Sequence, residues 1–305
     1  MAVITHANLE TDLRLAAVLD QEIALKLADR SSIRNTGALK SYGLINGRGS
    51  DTLTIRIAGL DGSDKFAVTA AEDTDVSSTA LTDSSVSLAV ARYSLRRDLG
   101  DLAELTGFPG SDISVDRLAA SMVGEAEQCF MELVGNAITG FGDDKGSKST
   151  NLSVDNWFDA IAFLQTAGNT GSTYALLNPA QLGQLQSSVR AEAGAIQFVP
   201  ATQDLLAIKG AGYAGSFAGV DVYTSTQCES SGGGYDGAMW AQGCIGYAEA
   251  APMISMGATQ RPAASPVVIE FERAASRALT SVIGHYYCGV AVIQDDMGVG
   301  LLSTD

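Results

Sequence analysis

Apolar residues along the chain follow two periods, and the places where the period changes divide it. Leu9, Leu13, Ala16, Ile23 and Leu27 recur at helical spacing behind Asn8, a capping residue. This predicts an amphipathic helix whose apolar stripe needs a partner surface, in the chain's own core or on a neighbour. After Asn35 and Gly37 the period shortens: Leu53, Ile55 and Ile57 alternate with Thr52, Thr54 and Arg56, the pattern of a half-buried strand. Gly59 to Gly62 supplies a turn, a polar run extends from Thr69 to Ser85, and Val86, Leu88 and Val90 alternate as a second strand. An isolated two-stranded ribbon is marginal in water, so an excursion of about 40 residues with so few apolar side chains is expected to lie on something else, as an arm and not a domain.

The longest helical stripe comes next. Behind Ser114, the residues Val115, Leu118, Ala119, Met122, Ala126, Cys129, Phe130, Leu133, Ala137 and Ile138 keep one face until Gly140. At 1.5 Å per residue they predict a helix about 37 Å long. Gly124 and Gly135 inside it cost about 1 kcal/mol each relative to alanine, which points to another backbone packed closely there. Phe141 to Asn151, rich in Gly, Asp, Lys and Ser, reads as a linker.

Helices and strands then alternate. Ser153 caps a helix carrying Trp157, Ile161 and Leu164, and Tyr174 to Leu177 is a short strand stopped at Asn178-Pro179. Leu182, Leu185 and Val189 mark a further helix, Val220, Val222 and Tyr223 a strand, and a Ser/Gly loop from Glu229 to Gly234 leads to a β segment around Ala238 to Ala248. From Pro266 to Leu302, residues such as Val268, Phe271, Val282, Ile283, Val290 and Val292 are broken by Gly284, Gly289 and Gly298, so strands are expected there. No repeat of 20 to 50 residues is present, which excludes solenoids and propellers.

Composition narrows the function. The 305 residues, 46% hydrophobic, suffice for a substantial core. No run of about 18 apolar residues occurs, and Met1 to Arg14 lacks the basic start and apolar stretch of a signal peptide, so synthesis is expected in a cytosol. Nineteen basic against 35 acidic residues give a formal charge of -16, which repels a phosphate backbone; tight DNA binding is not expected, whereas a wall to which packed DNA does not stick would have this character. Cys129, Cys228, Cys244 and Cys288 show no CxxC spacing and read as buried free thiols. His6 and His285 alone offer little imidazole for catalysis or metal binding.

The candidate motifs fail on context. Gly210-Ala211-Gly212-Tyr213-Ala214-Gly215 and Gly232-Gly233-Gly234-Tyr235-Asp236-Gly237 match the dinucleotide string, but neither opens a helix that could hold a pyrophosphate. Gly142 to Ser149 is similar to a phosphate loop, yet its lysines do not follow the second glycine directly, and Asp143 and Asp144 would repel phosphate. Ser216 is flanked by Ala214 and Ala218 where a nucleophile elbow has glycine. The pairs Asp143/Asp144 and Asp295/Asp296 read as solvated turns, and Tyr286 and Tyr287 beside His285 as packing residues.

The order of these elements resembles the HK97-fold major capsid proteins of tailed phages, and local phrases agree. Asp155-Asn156-Trp157-Phe158-Asp159-Ala160-Ile161, then Tyr174-Ala175-Leu176-Leu177-Asn178-Pro179 and Leu182, are similar to the helix, strand, turn and helix that open that family's A domain. Phe271-Glu272-Arg273, Gly289-Val290-Ala291-Val292 and Gly298-Val299-Gly300-Leu301 resemble its closing strands. The resemblance implies an α+β HK97-like capsid fold: an N-terminal arm over 1–40, an E-loop (an extended β-hairpin) over 41–100, a P domain with the long spine helix over 101–145, an A domain over 146–261, and P-domain return strands over 262–305. It implies a structural subunit, with no catalytic, cofactor-binding or metal site, that self-assembles into hexamers and pentamers of an icosahedral shell enclosing phage dsDNA without binding it specifically. Expected partners are other copies, a separate scaffolding protein and a portal, with room for decoration proteins and no membrane; the location is the virion capsid, assembled in the host cytoplasm. Both termini are expected to be held by packing, with no leader removed.

Some members of that family join an E-loop lysine to a neighbour's asparagine. Lys65 is the only lysine between Lys40 and Lys145, but the last asparagine is Asn178, so no such crosslink is expected. The rival readings are an encapsulin-like compartment on the same fold, an α/β enzyme with a nucleotide or hydrolase site at the glycine strings, and a surface or adhesion protein, against which the missing signal peptide counts.

Overall fold

The computed structural model describes residues 32–45, 50–59, 82–100, 115–191, 198–209, 212–228, 232–251, 253–256, 259–262 and 266–305. The helix expected from Leu9 to Leu27, the loop around Lys65, the cap Ser114 and the first two residues of the first glycine string, Gly210 and Ala211, lie outside these residues.

Two sheets and one long helix organise the rest. The first sheet has seven strands in the order β5 (Asp144–Gly146), β16 (Gly298–Ser303), β10 (Tyr235–Ala241), β6 (Thr173–Leu177), β9 (Val220–Thr224), β8 (Tyr213–Phe217) and β7 (Val199–Pro200). It is mixed: β6 and β9 are parallel, as are β16 and β5, and the other pairs are antiparallel. Side chains alternate across it, so one sheet feeds two cores. Ala175, Leu177, Met239, Val222, Val299 and Leu301 face a cluster built with Leu152, Trp157, Ala160, Leu164 and Leu185. Those residues come from α3 (Val154–Thr166), α4 (Pro179–Ala191) and the segment before α3. Tyr174, Leu176, Ala238 and Trp240 point the other way, toward α2 (Val115–Ile138), the long helix.

Local chemistry explains the ends of these elements. Ser153 Oγ accepts from Asn156 N at 3.2 Å, capping α3. Asn178 Oδ1 accepts from Ala180 N, and Pro179 opens α4, where a missing N–H costs nothing. The fully buried Gln181 donates to the carbonyls of Leu301 and Tyr235 and accepts from Asn178 N, which ties the turn to β16 and β10. Such a buried amide is tolerated because its hydrogen-bonding groups are used.

The second sheet is built on β15 (Leu279–Val292), a 14-residue strand. Its first half pairs with β14 (Val267–Ala274) on one edge and with β4 (Ala91–Gly100) on the other; its second half pairs with β11 (Ile245–Glu249), which in turn pairs in parallel with β1 (Lys40–Leu44). One turn of helix, α1 (Ser32–Asn35), leads into β1. Helix α2 crosses this sheet over Val282, Gly284, Tyr286 and Cys288, with Met122 against Gly284. The close approach expected at Gly135 is present: a Cβ there would lie 2.7 Å from the carbonyl oxygen of Gln227.

Two short ribbons complete the fold. β2 (Thr52–Gly59) and β3 (Thr82–Ala89) pair antiparallel over their whole length, as the alternation predicts. β12 (Met253–Met256) and β13 (Thr259–Pro262) form the second ribbon. The segment expected around Ala238 to Ala248 divides into β10 and β11, one in each sheet, because Gln242 and Gly243 turn the chain between them. The linker after α2 is less open than expected, since Asp144–Gly146 joins the first sheet as β5. The last residues belong to the interior of that sheet through β16.

Candidate functional site

Chemistry in the usual sense is sparse. Among the described residues no group of three His, Cys, Asp or Glu side chains is placed to hold a metal ion, and no helix is long and apolar enough to cross a membrane. The glycine string from Gly232 to Gly237 runs into β10, and Gly212 leads into β8, so neither described part opens a helix, and no helix dipole or row of free N–H groups faces a phosphate. Ser216 lies in β8 between Gly215 and Phe217. Lys148 of the phosphate-loop-like stretch pairs with Asp236 at 3.0 Å. Asp295 and Asp296 are exposed in a short 3-10 turn, as expected, and Asp295 Oδ1 accepts from Gly142 N. Asp143 and Asp144 are exposed, as expected, but Asp144 opens β5 and does not lie in a turn; partial desolvation, and then the charge of Asp236, raise its pKa.

Three of the four thiols are shut away from solvent. Cys228, Cys244 and Cys288 are buried, and desolvation pushes each up to about 12. Cys129 is the correction to the expectation of four buried thiols, because it is only half-buried. It lines an open groove of ≈ 230 Å³ between α2 and β4, with Met122, Glu125, Tyr93 and Leu95. His285, at the same groove, hydrogen-bonds Ser94 Oγ through Nδ1 at 2.8 Å.

The most concentrated electrostatics lie at Arg34 in α1, at the end of the undescribed N-terminal stretch. Its side chain is 7% exposed and reaches Glu249 at 2.6 Å and Glu127 at 3.6 Å. It donates to the hydroxyl of Tyr286, and its guanidinium lies 3.7 Å from the ring centre of Phe130. Burial alone would lower the arginine's pKa, but Tyr286, Glu249 and Glu127 outweigh it and the net direction is upward. Burial pushes the Tyr286 hydroxyl well above its ordinary range, so it stays protonated and donates to Glu249. One residue thus joins α1 to α2, β11 and β15. Trp240 Nε1 and the Tyr174 hydroxyl extend the fastening by donating to the carbonyls of Ala38 and Thr36. Sequence reasoning assigned Arg34 no role; its partners Glu249 and Tyr286 are 215 and 252 residues away.

The β2–β3 ribbon is held differently. Only its base is packed, where Leu88, Leu53, Ile55 and Val90 meet Ile45, Ala248 and Tyr42 in a small cluster separate from both main cores. Ser84, Ser85 and Ser87 are exposed, and Ile57 belongs to no cluster. Close contact at the base requires Gly289: a Cβ there would collide with the carbonyl oxygen of Ala89. Among the described residues, those of the ribbon beyond the base belong to no hydrophobic cluster.

No family model and no curated protein matches the chain. Solved structures do. A structure from Mycobacterium phage Che8 superposes with a TM-score of 0.57 at 13% identity, covering 83% of this chain and 84% of its own. The capsid of a native GTA particle gives 0.58 at 10% identity, covering 90% and 91%. The SrpI encapsulin from Synechococcus elongatus PCC 7942 gives 0.56 at 12% identity, covering 86% and 84%. The chain therefore shares the fold of these structures, and the agreement extends over most of both chains in each case.

Proposed function

We propose that this chain, whose fold is the HK97-type capsid fold, is a major capsid protein: a structural subunit that assembles into hexamers and pentamers of an icosahedral shell around phage dsDNA. The observation that carries the reading is the match over about nine-tenths of both chains to a capsid subunit, in a molecule whose β2–β3 ribbon is packed only at its base. The domain plan follows as a proposal, with an N-terminal arm over 1–40 that ends at the Arg34 fastening, a P domain of α2 and the second sheet, and an A domain around the seven-stranded sheet; the expected 146–261 span of the A domain then cedes β11 to the P domain and gains β16 from the closing 262–305 segment. Because β4 pairs with β15 along its whole length, the E-loop proper is proposed to end at Ala89.

The role is structural and not catalytic, and a charge of -16 suits a lumen from which DNA is not to be held tightly. Subunit contacts can each be weak, since closure multiplies them. A separate scaffolding protein, a portal and decoration proteins are the proposed partners, with assembly in the host cytoplasm and the virion capsid as final location. Negative-stain electron microscopy and sedimentation of the purified chain, alone and with its scaffolding protein, test this. Closed icosahedral particles or isolated capsomers are expected; a persistent monomer under both conditions overturns it. The likeness to the SrpI encapsulin supports a second reading, a cargo compartment, which particles isolated with protein and no DNA inside would favour.

A further inference from the structure

Among the described residues, β4 pairs only with β15, so its other edge presents the backbone groups of a ten-residue strand. Exposed edges of this length pair readily with other strands, and proteins govern them with charged side chains. The charges on β4 are unusual in being arranged about a centre. Counting outward from Leu95, Arg92 balances Asp98, Tyr93 balances Arg97, and Ser94 balances Arg96. In an antiparallel pair, residues directly opposite share a face, so two copies of β4 centred on Leu95 would bring each Arg92 against an Asp98 and each Tyr93 against an Arg97.

The side chains stand ready for these contacts. Arg92 is exposed and has no ion-pair partner among the described residues. The Asp98 carboxylate is held by Ser281 and Arg96 through one oxygen, Oδ1, and its side chain is 45% exposed. Arg97 uses its Nη2 on Glu125 at 3.1 Å, while its Nε is shielded and lacks an acceptor among the described residues. Tyr93 lines the groove beside α2, on the same face as Arg97.

We propose that β4 of one copy pairs antiparallel with β4 of a second copy across a two-fold axis at Leu95, which joins two second sheets into one continuous sheet. The partner is this same chain, and the contact is isologous, so each copy gives and receives the same bonds. The charge pattern sets the register: a slip by two residues removes both Arg92–Asp98 pairs. The two grooves beside α2 then open into one trough over the seam, with Leu95 of each copy at its centre.

Cysteine pairing tests the register directly. Opposed Cα atoms in an antiparallel pair lie about 4.5 to 5.5 Å apart, within the range a disulfide bridges. Leu95→Cys, oxidised both as assembled particles and as unassembled chain, is expected to give a covalent dimer on a non-reducing denaturing gel. Mass spectrometry should find the introduced thiol of one copy joined to the introduced thiol of the other. Ala91→Cys and the unaltered chain, whose Cys129 lies in the same groove, are expected to give no dimer. Charge exchange supplies the second readout: Arg92→Asp should weaken dimerisation or particle yield about tenfold, and adding Asp98→Arg should restore most of it. The proposal is overturned if neither preparation cross-links at Leu95→Cys, if the introduced thiol joins a different segment of the chain, or if the double variant is no better than the single. Particles that form without this cross-link keep the shell reading and remove the contact; when no particles form, the unassembled chain still decides it.

Discussion

The segment around Arg34 and the β2–β3 ribbon are both short pieces of chain outside the two main sheets' centres, yet one is fastened into the core and the other is packed only at its base. Arg34 sits among Glu249, Glu127, Tyr286 and Phe130, and the residues after it give backbone carbonyls to Trp240 and Tyr174. The ribbon has eight paired residues on each strand, but only its base touches a hydrophobic cluster. Backbone pairing alone does not stabilise a two-stranded ribbon, so its shaft requires a surface from elsewhere. The difference separates what one chain folds by itself from what awaits a neighbour.

The largest effect expected is at the fastened end. Arg34→Met leaves Glu249 and Glu127 buried without their cation and should destabilise the isolated chain by about 3–5 kcal/mol, read by urea unfolding. A loss under about 1 kcal/mol would mean that water already reaches those carboxylates. At the ribbon's base, Leu88→Ala should cost about 2–5 kcal/mol if the small cluster behaves as a true core. Gly289→Ala, which forces the Ala89–Val90 backbone aside, should cost about 1–3 kcal/mol and tilt the ribbon, lowering particle yield more than stability. On the shaft, the exposed Ser85→Glu should change the isolated chain by less than about 0.5 kcal/mol and still impair assembly. Equal losses in both measurements would place that face in the chain's own packing and erase the contrast.

The thiols give the mildest test. Cys129 should react first with a thiol reagent under native conditions, with Cys228, Cys244 and Cys288 silent until unfolding. Because their folded pKa values lie near 12 against an ordinary value of 9.0, the folded state holds more protons between those limits, so stability is full below pH 9 and falls as pH rises toward 12. Unfolding curves that do not change between pH 9 and pH 11 would contradict this.

Much of the fold is legible in the sequence because its signals are local. Leu53, Ile55 and Ile57 reveal β2 by alternation, Met122 to Ile138 reveal α2 by period, and Asn178-Pro179 marks the α4 boundary to the residue. What was hidden depends on distant partners. Lys40–Leu44 carries no strand pattern, and it is a strand because β11 lies beside it. β4 reads as a continuation of the excursion, since Val90 only bends the chain, and nothing nearby announces β15. Arg34 is one more arginine until three remote segments converge on it, and the β4 edge left unpaired among the described residues is visible only once the sheet order is known.

Hydrogen exchange of the ribbon amides in residues 52–59 and 82–89, compared between the unassembled chain and assembled particles, tests the central claim most directly. The account predicts rapid exchange along the shaft in the free subunit, slow exchange in the particle, and slow exchange around Arg34 in both. A shaft equally protected in the free subunit, or one left unprotected in closed particles, would contradict it.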